Sequence, residues 1–117
     1  MHETSEDFRD FQFVIKKIQD KPYLPDVFIC GNDLTAIQLI YALQALGYQI
    51  PRDVSIVGFD GIPASERIVP SLTTIYTPKK YLGIAAARQM LERIQYPDSP
   101  KVYSEYSTQL FIRDSTK

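Results

Sequence analysis

Three polar residues follow apolar segments, at positions where they could bind a small molecule. Asn32 and Asp33 come just after the apolar run 27–30, and Asp60 closes the apolar run 54–59. A carboxylate offers only acceptors, which suit the hydroxyl groups of a sugar or the N–H group of a base, whereas a carboxamide offers both donors and an acceptor. The residue types therefore indicate recognition of a polar small molecule.

Each of these residues, and also Tyr76 and Thr77 at the end of a later strand, has a structural alternative to ligand binding. Asn32 and Asp33 are both of types that cap helices, and for Asp33 capping is the favoured interpretation. Asp60 could instead close a turn. Thr77 could contribute to the same cleft or belong to a hinge turn, and Tyr76 could stack on a ligand ring or simply pack.

The elements that position these residues form a strand–helix–strand unit. The runs 27–30 and 54–59 are nearly continuously apolar, which predicts strands buried on both faces of a parallel sheet. Between them, apolar residues recur at helical spacing from Leu34 to Leu46, and Gly47 is placed to end the helix. Such a unit is expected to be parallel and right-handed, with ligands bound outside the carboxyl ends of its strands. Asn32, Asp33 and Asp60 fall at those ends.

The remaining elements also alternate. The pattern predicts a helix from Ser5 to Ile18 with Ser5 as its cap, a helical turn at 64–68, a strand at 72–76, a helix at 80–94, and one or two strands within 101–112. The chain is predicted to be an α/β protein with a parallel sheet in three layers.

The composition excludes further classes of function. The 117 residues suit one domain, and a formal net charge of −1 without a basic stripe argues against direct DNA binding. The single cysteine, Cys30, lies in an apolar strand, so no internal disulfide can form and a cytoplasmic location is expected. No segment predicts export or membrane insertion.

Catalysis has little support in the sequence. The only histidine is His2, near the start of the chain, and Cys30 is expected to be buried and inert. Asp33 and Asp60 are too few for a metal site, and no glycine-rich phosphate loop is present. We therefore expect neither an enzyme nor a cofactor.

Four ordered motifs resemble the lac repressor and galactose repressor family of transcription regulators. They are FICGND at 28–33, ALQALGYQIPRDVSIVGFD at 42–60, PSLTTI at 70–75 followed by LG at 82–83 and LERI at 91–94, and LFIRDST at 110–116. The resemblance covers nearly everything from Pro25 to the C-terminus and concerns the C-terminal part of the effector-binding region.

The resemblance implies a type I periplasmic-binding-protein-like fold, in which two α/β subdomains close on a small molecule, usually a sugar or a nucleobase-like metabolite. Residues 1–117 would be a partial effector-binding and dimerisation domain. A member of the family would also carry a DNA-binding domain and a first subdomain, and operator DNA would be contacted only through that DNA-binding domain. Asn32, Asp33, Asp60 and Thr77 would then be ligand contacts.

The helix at 34–46 is apolar on more than one side, so it must bury a second face. By resemblance this face, with the loop 65–69, would contact a second subunit of a homodimer through Leu34, Ile37, Gln38, Tyr41, Arg67 and Ile68. Burial within its own domain is the open alternative. Apolar residues of the helix at 80–94 would lose their cover without the first subdomain and would favour self-association. The other functional interpretation is a fragment of a solute-binding protein, which shares the fold.

Overall fold

Helices and strands alternate along the part of the chain that the structure describes, a computed structural model of residues 11–117. The elements are α1 (Phe11–Gln19), β1 (Val27–Ile29), α2 (Asp33–Ala45), β2 (Ser55–Asp60), α3 (Ala64–Arg67), β3 (Thr73–Tyr76), α4 (Lys79–Gln95) and β4 (Gln109–Phe111). The predicted α/β class is confirmed, and most boundaries agree within one or two residues. The predicted cap Ser5 and the helical residue Phe8 lie outside the described residues.

The strands form one sheet in the order β1-β2-β3-β4. β1 pairs with β2 and β2 pairs with β3, both in parallel, with Ile29 beside Val57 and Asp60 beside Tyr76. The carboxyl ends of these three strands therefore lie at one edge of the sheet. The predicted parallel strand–helix–strand unit is confirmed.

One face of the sheet carries the hydrophobic core. Ile56 of β2 is fully buried there, as are Ile40 and Leu43 of α2 and Leu72 just before β3. Val14 of α1 joins the same cluster, because α1 packs against α2. Helix α2 thus covers this face, and Gly47 ends it with a positive φ of 88°.

The opposite face is only partly covered, so the prediction that both strands are buried on both faces is wrong. Along β2 the buried residues Ile56 and Gly58 alternate with partly exposed ones. β1 is an edge strand among the described residues, and its Val27 and Ile29 are 44% and 77% exposed. Side chains of registered residues share a face, so Ile29, Val57 and Phe59 form one half-open apolar surface.

The C-terminal segment is inserted between the first residues of β2 and β3. The buried Ser115 accepts from the Ile56 amide through its carbonyl (2.9 Å) and donates its hydroxyl to the Ile56 carbonyl (2.6 Å). On the other side, its amide donates to the Ser71 carbonyl (2.9 Å) and its Oγ accepts from the Thr73 amide (2.8 Å). One residue therefore satisfies backbone groups of both strands where they diverge.

The described residues divide into two compact units, 11–76 with 110–117, and 77–109. Within the second, the Tyr81 and Tyr106 rings stack at 6.5 Å, and Gln89 donates to Ser104 at 2.9 Å. No residue of α4 is buried, and Met90, Leu91 and Ile94 are 63%, 66% and 69% exposed. No helix within residues 11–117 has the length and apolar character needed to cross a membrane.

Candidate ligand-binding site

Asp60 ends β2 in an unusual backbone conformation. Its φ is 113°, and that of the next residue, Gly61, is 68°. An aspartate at positive φ costs about 1–3 kcal/mol, and residues in this state concentrate at ligand sites and switch regions. Its side chain is partly exposed at the edge where ligands bind in sheets of this kind.

Gly61 permits the chain to turn close against β3. A Cβ at this position would lie 3.0 Å from Tyr76 Cα and 2.8 Å from a carbon of the Tyr76 ring. The Gly61 amide also donates to Thr74 Oγ1 at 3.3 Å. Both the positive φ and the close approach therefore require glycine here.

Asp33 is fully buried beneath this turn rather than in a cleft wall. Its Oδ2 accepts from the Ile62 amide at 2.8 Å, and its Oδ1 accepts from the Thr74 hydroxyl at 2.5 Å. Gly58 makes room for the carboxylate, because a Cβ there would collide with Asp33 Oδ1. The structure therefore corrects both interpretations of Asp33: it neither caps α2 nor reaches the surface as a ligand contact, since its two oxygens hold β3 and the segment after β2.

Asn32 is the cap of α2. Its Oδ1 accepts from the Thr35 amide at 2.8 Å, while the residue remains exposed. The oxygen already accepts one bond from the helix, and the two N–H groups of the side-chain amide can donate to a ligand. Capping and ligand contact, which the sequence set against each other, are compatible.

The two other predicted residues lie further along the chain. The Tyr76 ring stacks on Phe111 with centroids 5.3 Å apart, which favours packing over ligand stacking. Thr77 is the first residue of the second unit, and its carbonyl accepts from the Lys79 amide at 2.8 Å ahead of α4. A ligand contact by Thr77 stays a prediction.

The outer side of α2 presents three apolar residues and one glutamine, Leu34, Ile37, Gln38 and Tyr41, which we call the apolar stripe. Leu34 and Tyr41 are 62% and 47% exposed, so this chain does not bury them in its own core. Ile37 and Gln38 are partly buried, and Gln38 Oε1 is a buried atom without a partner among the described residues. The spacing places all four on one side of the helix.

Not all residues of the neighbouring loop 65–69 are exposed, although this loop is predicted to form part of the subunit contact. Arg67 is exposed, but Ile68 packs partly against the core, and Ser65, within the predicted contact loop, is fully buried. Of this loop, Glu66, Arg67 and the 80% exposed Val69 are the exposed residues.

Arg113 anchors α3, a role that the sequence did not predict. Its Nη1 donates to Ser65 Oγ and to the Leu72 carbonyl, both at 2.9 Å, and its Nη2 meets Glu66 Oε1 at 2.9 Å. The Ser65 hydroxyl donates in turn to the Ile62 carbonyl at 2.6 Å. The terminal motif LFIRDST contained the signal, since it supplies both Arg113 and Ser115.

The reactive and metal-binding groups are sparse at this edge. Burial, followed by the negative charge of Asp33, raises the pKa of the Cys30 thiol to about 11, which disfavours the thiolate. No group of three or more His, Cys, Asp or Glu residues within 11–117 could hold a metal ion.

Comparisons with known proteins agree with this architecture. Residues 2–116 match the family described as periplasmic binding protein-like domain. The HTH-type transcriptional repressor PurR of Vibrio vulnificus is 40% identical over 93 residues, which are 80% of this chain and 28% of the repressor. The chain thus spans less than a third of that relative's length.

Solved structures of regulators share the fold. A LacI-type transcription regulator from Bifidobacterium animalis subsp. lactis is 33% identical, with a TM-score of 0.81 over 92% of this chain and 39% of that one. A LacI family transcriptional regulator from Enterococcus faecium, solved with bound ribose, is 33% identical, with a TM-score of 0.77 over 91% of this chain and 38% of that one. The chain belongs to the periplasmic binding protein-like domain family and, within it, to the effector-binding region of the LacI/GalR regulators.

Proposed function

We propose that this chain forms one wall of the effector cleft, and the subunit contact, of a LacI-type transcription regulator. The observation that carries the proposal is Asp60, which stands at the carboxyl edge of the sheet at a φ of 113°. Such a conformation persists only where the surroundings impose it, and here Asp33 and Thr74 hold the segment that follows. The scaffold is thus organised around the position of one polar side chain.

The two exposed polar groups favour a ligand with both donors and acceptors. Asp60 would accept from ligand hydroxyl groups, and the NH₂ group of Asn32 would donate to a ligand oxygen. Neighbouring hydroxyls on a sugar can do both at once. The ribose bound to the Enterococcus faecium regulator supports a sugar or related metabolite as the effector class. Thr77 would add a hydroxyl, whereas Asp33 is withdrawn from the ligand contacts because it is buried.

The apolar stripe of α2 would form the centre of a homodimer contact. Exposed Leu34 and Tyr41 provide apolar area, and the exposed Arg67 would lie at the polar rim. Burying the stripe against a second copy removes apolar surface from water, which stabilises association by about 25 cal/mol per Å² before association costs are subtracted.

The control that this chain exerts on DNA binding would be indirect. A net charge of −1 does not favour binding to phosphates, so operator DNA would be contacted through a DNA-binding domain outside this chain. Effector binding would favour one closure state of the cleft and thereby shift the population of DNA-binding conformations. The function would be non-enzymatic and cytoplasmic, as expected for a transcription repressor.

Calorimetry on a complete regulator that contains this chain tests the proposal. After a thermal-shift screen of pentoses, hexoses and nucleobases identifies the effector, its affinity is measured for Asp60→Asn. Removing the charged acceptor should weaken binding about 10- to 100-fold, the equivalent of about 1.5–3 kcal/mol for a hydrogen bond to a charged group.

Asp53→Asn is the matched control, because Asp53 precedes β2 and accepts from the Gln49 amide at 2.7 Å, whereas Asp60 ends the same strand. Its effector affinity should equal that of the unsubstituted protein. Equal affinities for Asp60→Asn and Asp53→Asn would remove Asp60 from the site.

A further inference from the structure

A continuous set of hydrogen bonds connects the strand end at Asp60 with α3. The Gly61 amide donates to Thr74 Oγ1, and the Thr74 hydroxyl donates to Asp33 Oδ1. Asp33 Oδ2 accepts from the Ile62 amide. The next steps run from the Ile62 carbonyl, which accepts from the Ser65 hydroxyl and amide at 2.6 and 3.0 Å, to α3.

The residues that form these hydrogen bonds are buried, which raises the free-energy cost of breaking the bonds. Asp33, Ser65 and Thr74 are each 0% exposed, so water cannot replace a lost partner. A buried polar group left unpaired is costly, which makes a fully satisfied network behave as one unit. Breaking one of these buried hydrogen bonds should therefore disturb the others more than it would in a network at the surface.

The network also starts at the element that bears the apolar stripe. Asp33 is the first residue of α2 and directly precedes Leu34. At its other end, Arg113 fixes Ser65 and pairs with Glu66 of α3, next to Arg67. Both elements of the proposed subunit contact are thus hydrogen-bonded to Ile62, the second residue after Asp60.

We propose that Asp33 and Thr74 are positioning residues, which hold Asp60 in its ligand-binding conformation and couple that segment to α3 through Ile62 and Ser65. Both side chains are fully buried, so neither would contact the ligand. A change in the segment 60–62 on effector binding would be passed to the subunit contact through this path. The regulatory role of this coupling rests on the proposed function. The coupling itself can be measured in this chain without a ligand.

Amide hydrogen exchange by NMR on the 117-residue chain tests the coupling. Thr74→Val keeps the side-chain shape and removes the hydroxyl, whereas Thr74→Ser keeps the hydroxyl and serves as the conservative rescue. Thr74→Val should speed exchange at the Gly61, Ile62 and Ser65 amides by about tenfold or more through local opening. Thr74→Ser should leave these amides within about threefold of the unsubstituted chain.

The Cys30 and Ile56 amides, which donate to Val57 and Ser115 within the sheet, are the reference for global stability. Acceleration of all amides by one factor would show a purely structural role and overturn the proposal, as would an unchanged Ser65 amide. If Thr74→Val does not fold, Asp33→Asn replaces it, with the same pattern expected. A failure of Asp60→Asn to weaken effector binding would contradict the proposed function and leave this result unaffected.

Discussion

Replacing Gly58 by alanine should destabilise the fold more than its size suggests. The added Cβ would collide with Asp33 Oδ1 and lie 2.8 Å from Leu72 Cδ2 and 3.3 Å from Asp33 Cγ. Because Asp33 and Leu72 are both fully buried, neither can move into solvent without breaking contacts. Gly58 is thus the residue that admits the Asp33 carboxylate to the interior.

The cost can be worked from the bonds at risk. Overpacking a core position costs about 1–3 kcal/mol. Displacing Asp33 would also weaken its bonds to Ile62 and Thr74, and a hydrogen bond to a charged group contributes about 1.5–3 kcal/mol. We therefore expect Gly58→Ala to lower the free energy of unfolding by about 3–5 kcal/mol.

Urea denaturation followed by circular dichroism measures this loss. Gly31→Ala is the matched control, because a Cβ at Gly31 meets nothing within 4 Å, and its effect should stay within about 0.5 kcal/mol. In an Asp33→Ala background the penalty of Gly58→Ala should shrink, since the main obstacle has been removed. A loss below about 1 kcal/mol for Gly58→Ala, or a penalty independent of Asp33, would show that the Asp33 carboxylate does not depend on the space at Gly58.

Two further predictions concern the subunit contact and the thiol. In a complete regulator, Leu34→Glu should shift sedimentation from dimer towards monomer, because it places a charge on the most exposed residue of the apolar stripe, whereas Met90→Glu on α4 should leave the dimer intact. A dimer that survives Leu34→Glu would show that the subunits meet elsewhere. Cys30, with its pKa raised to about 11, should react with a disulfide reagent at pH 8 about two orders of magnitude more slowly than an unperturbed thiol. A rate equal to that of the urea-unfolded chain would contradict the assigned burial.

Local patterns in the sequence predicted the elements well. The helical spacing after Asn32 and the apolar run before Asp60 are properties of short segments, and the structure reproduces both as α2 and β2. The cap at Asn32 was equally local, since its Oδ1 reaches only three residues ahead. The parallel pairing then followed from the order of strand, helix and strand.

The tertiary roles could not be predicted in the same way. Asp33 acts through Thr74, 41 residues later, and Ser115 acts through Ile56, 59 residues earlier. Glycine inside an apolar strand can mark a close approach of another group, so Gly58 was a usable signal for the buried carboxylate. The exposure of Ile29 could not be predicted for a different reason. An apolar run predicts that a strand is buried, but it does not indicate which other part of a protein packs against the strand.

We propose that Asp60 belongs to the wall of an effector cleft. A crystal structure of a complete regulator that contains this chain, solved with its effector bound, would show whether it does. We expect an Asp60 carboxylate oxygen within about 3.2 Å of a ligand hydroxyl or N–H group, with Asp33 still bonded to Ile62 and Thr74. An effector bound without contact to Asp60, or one held by Asp33 in place of those two partners, would contradict it.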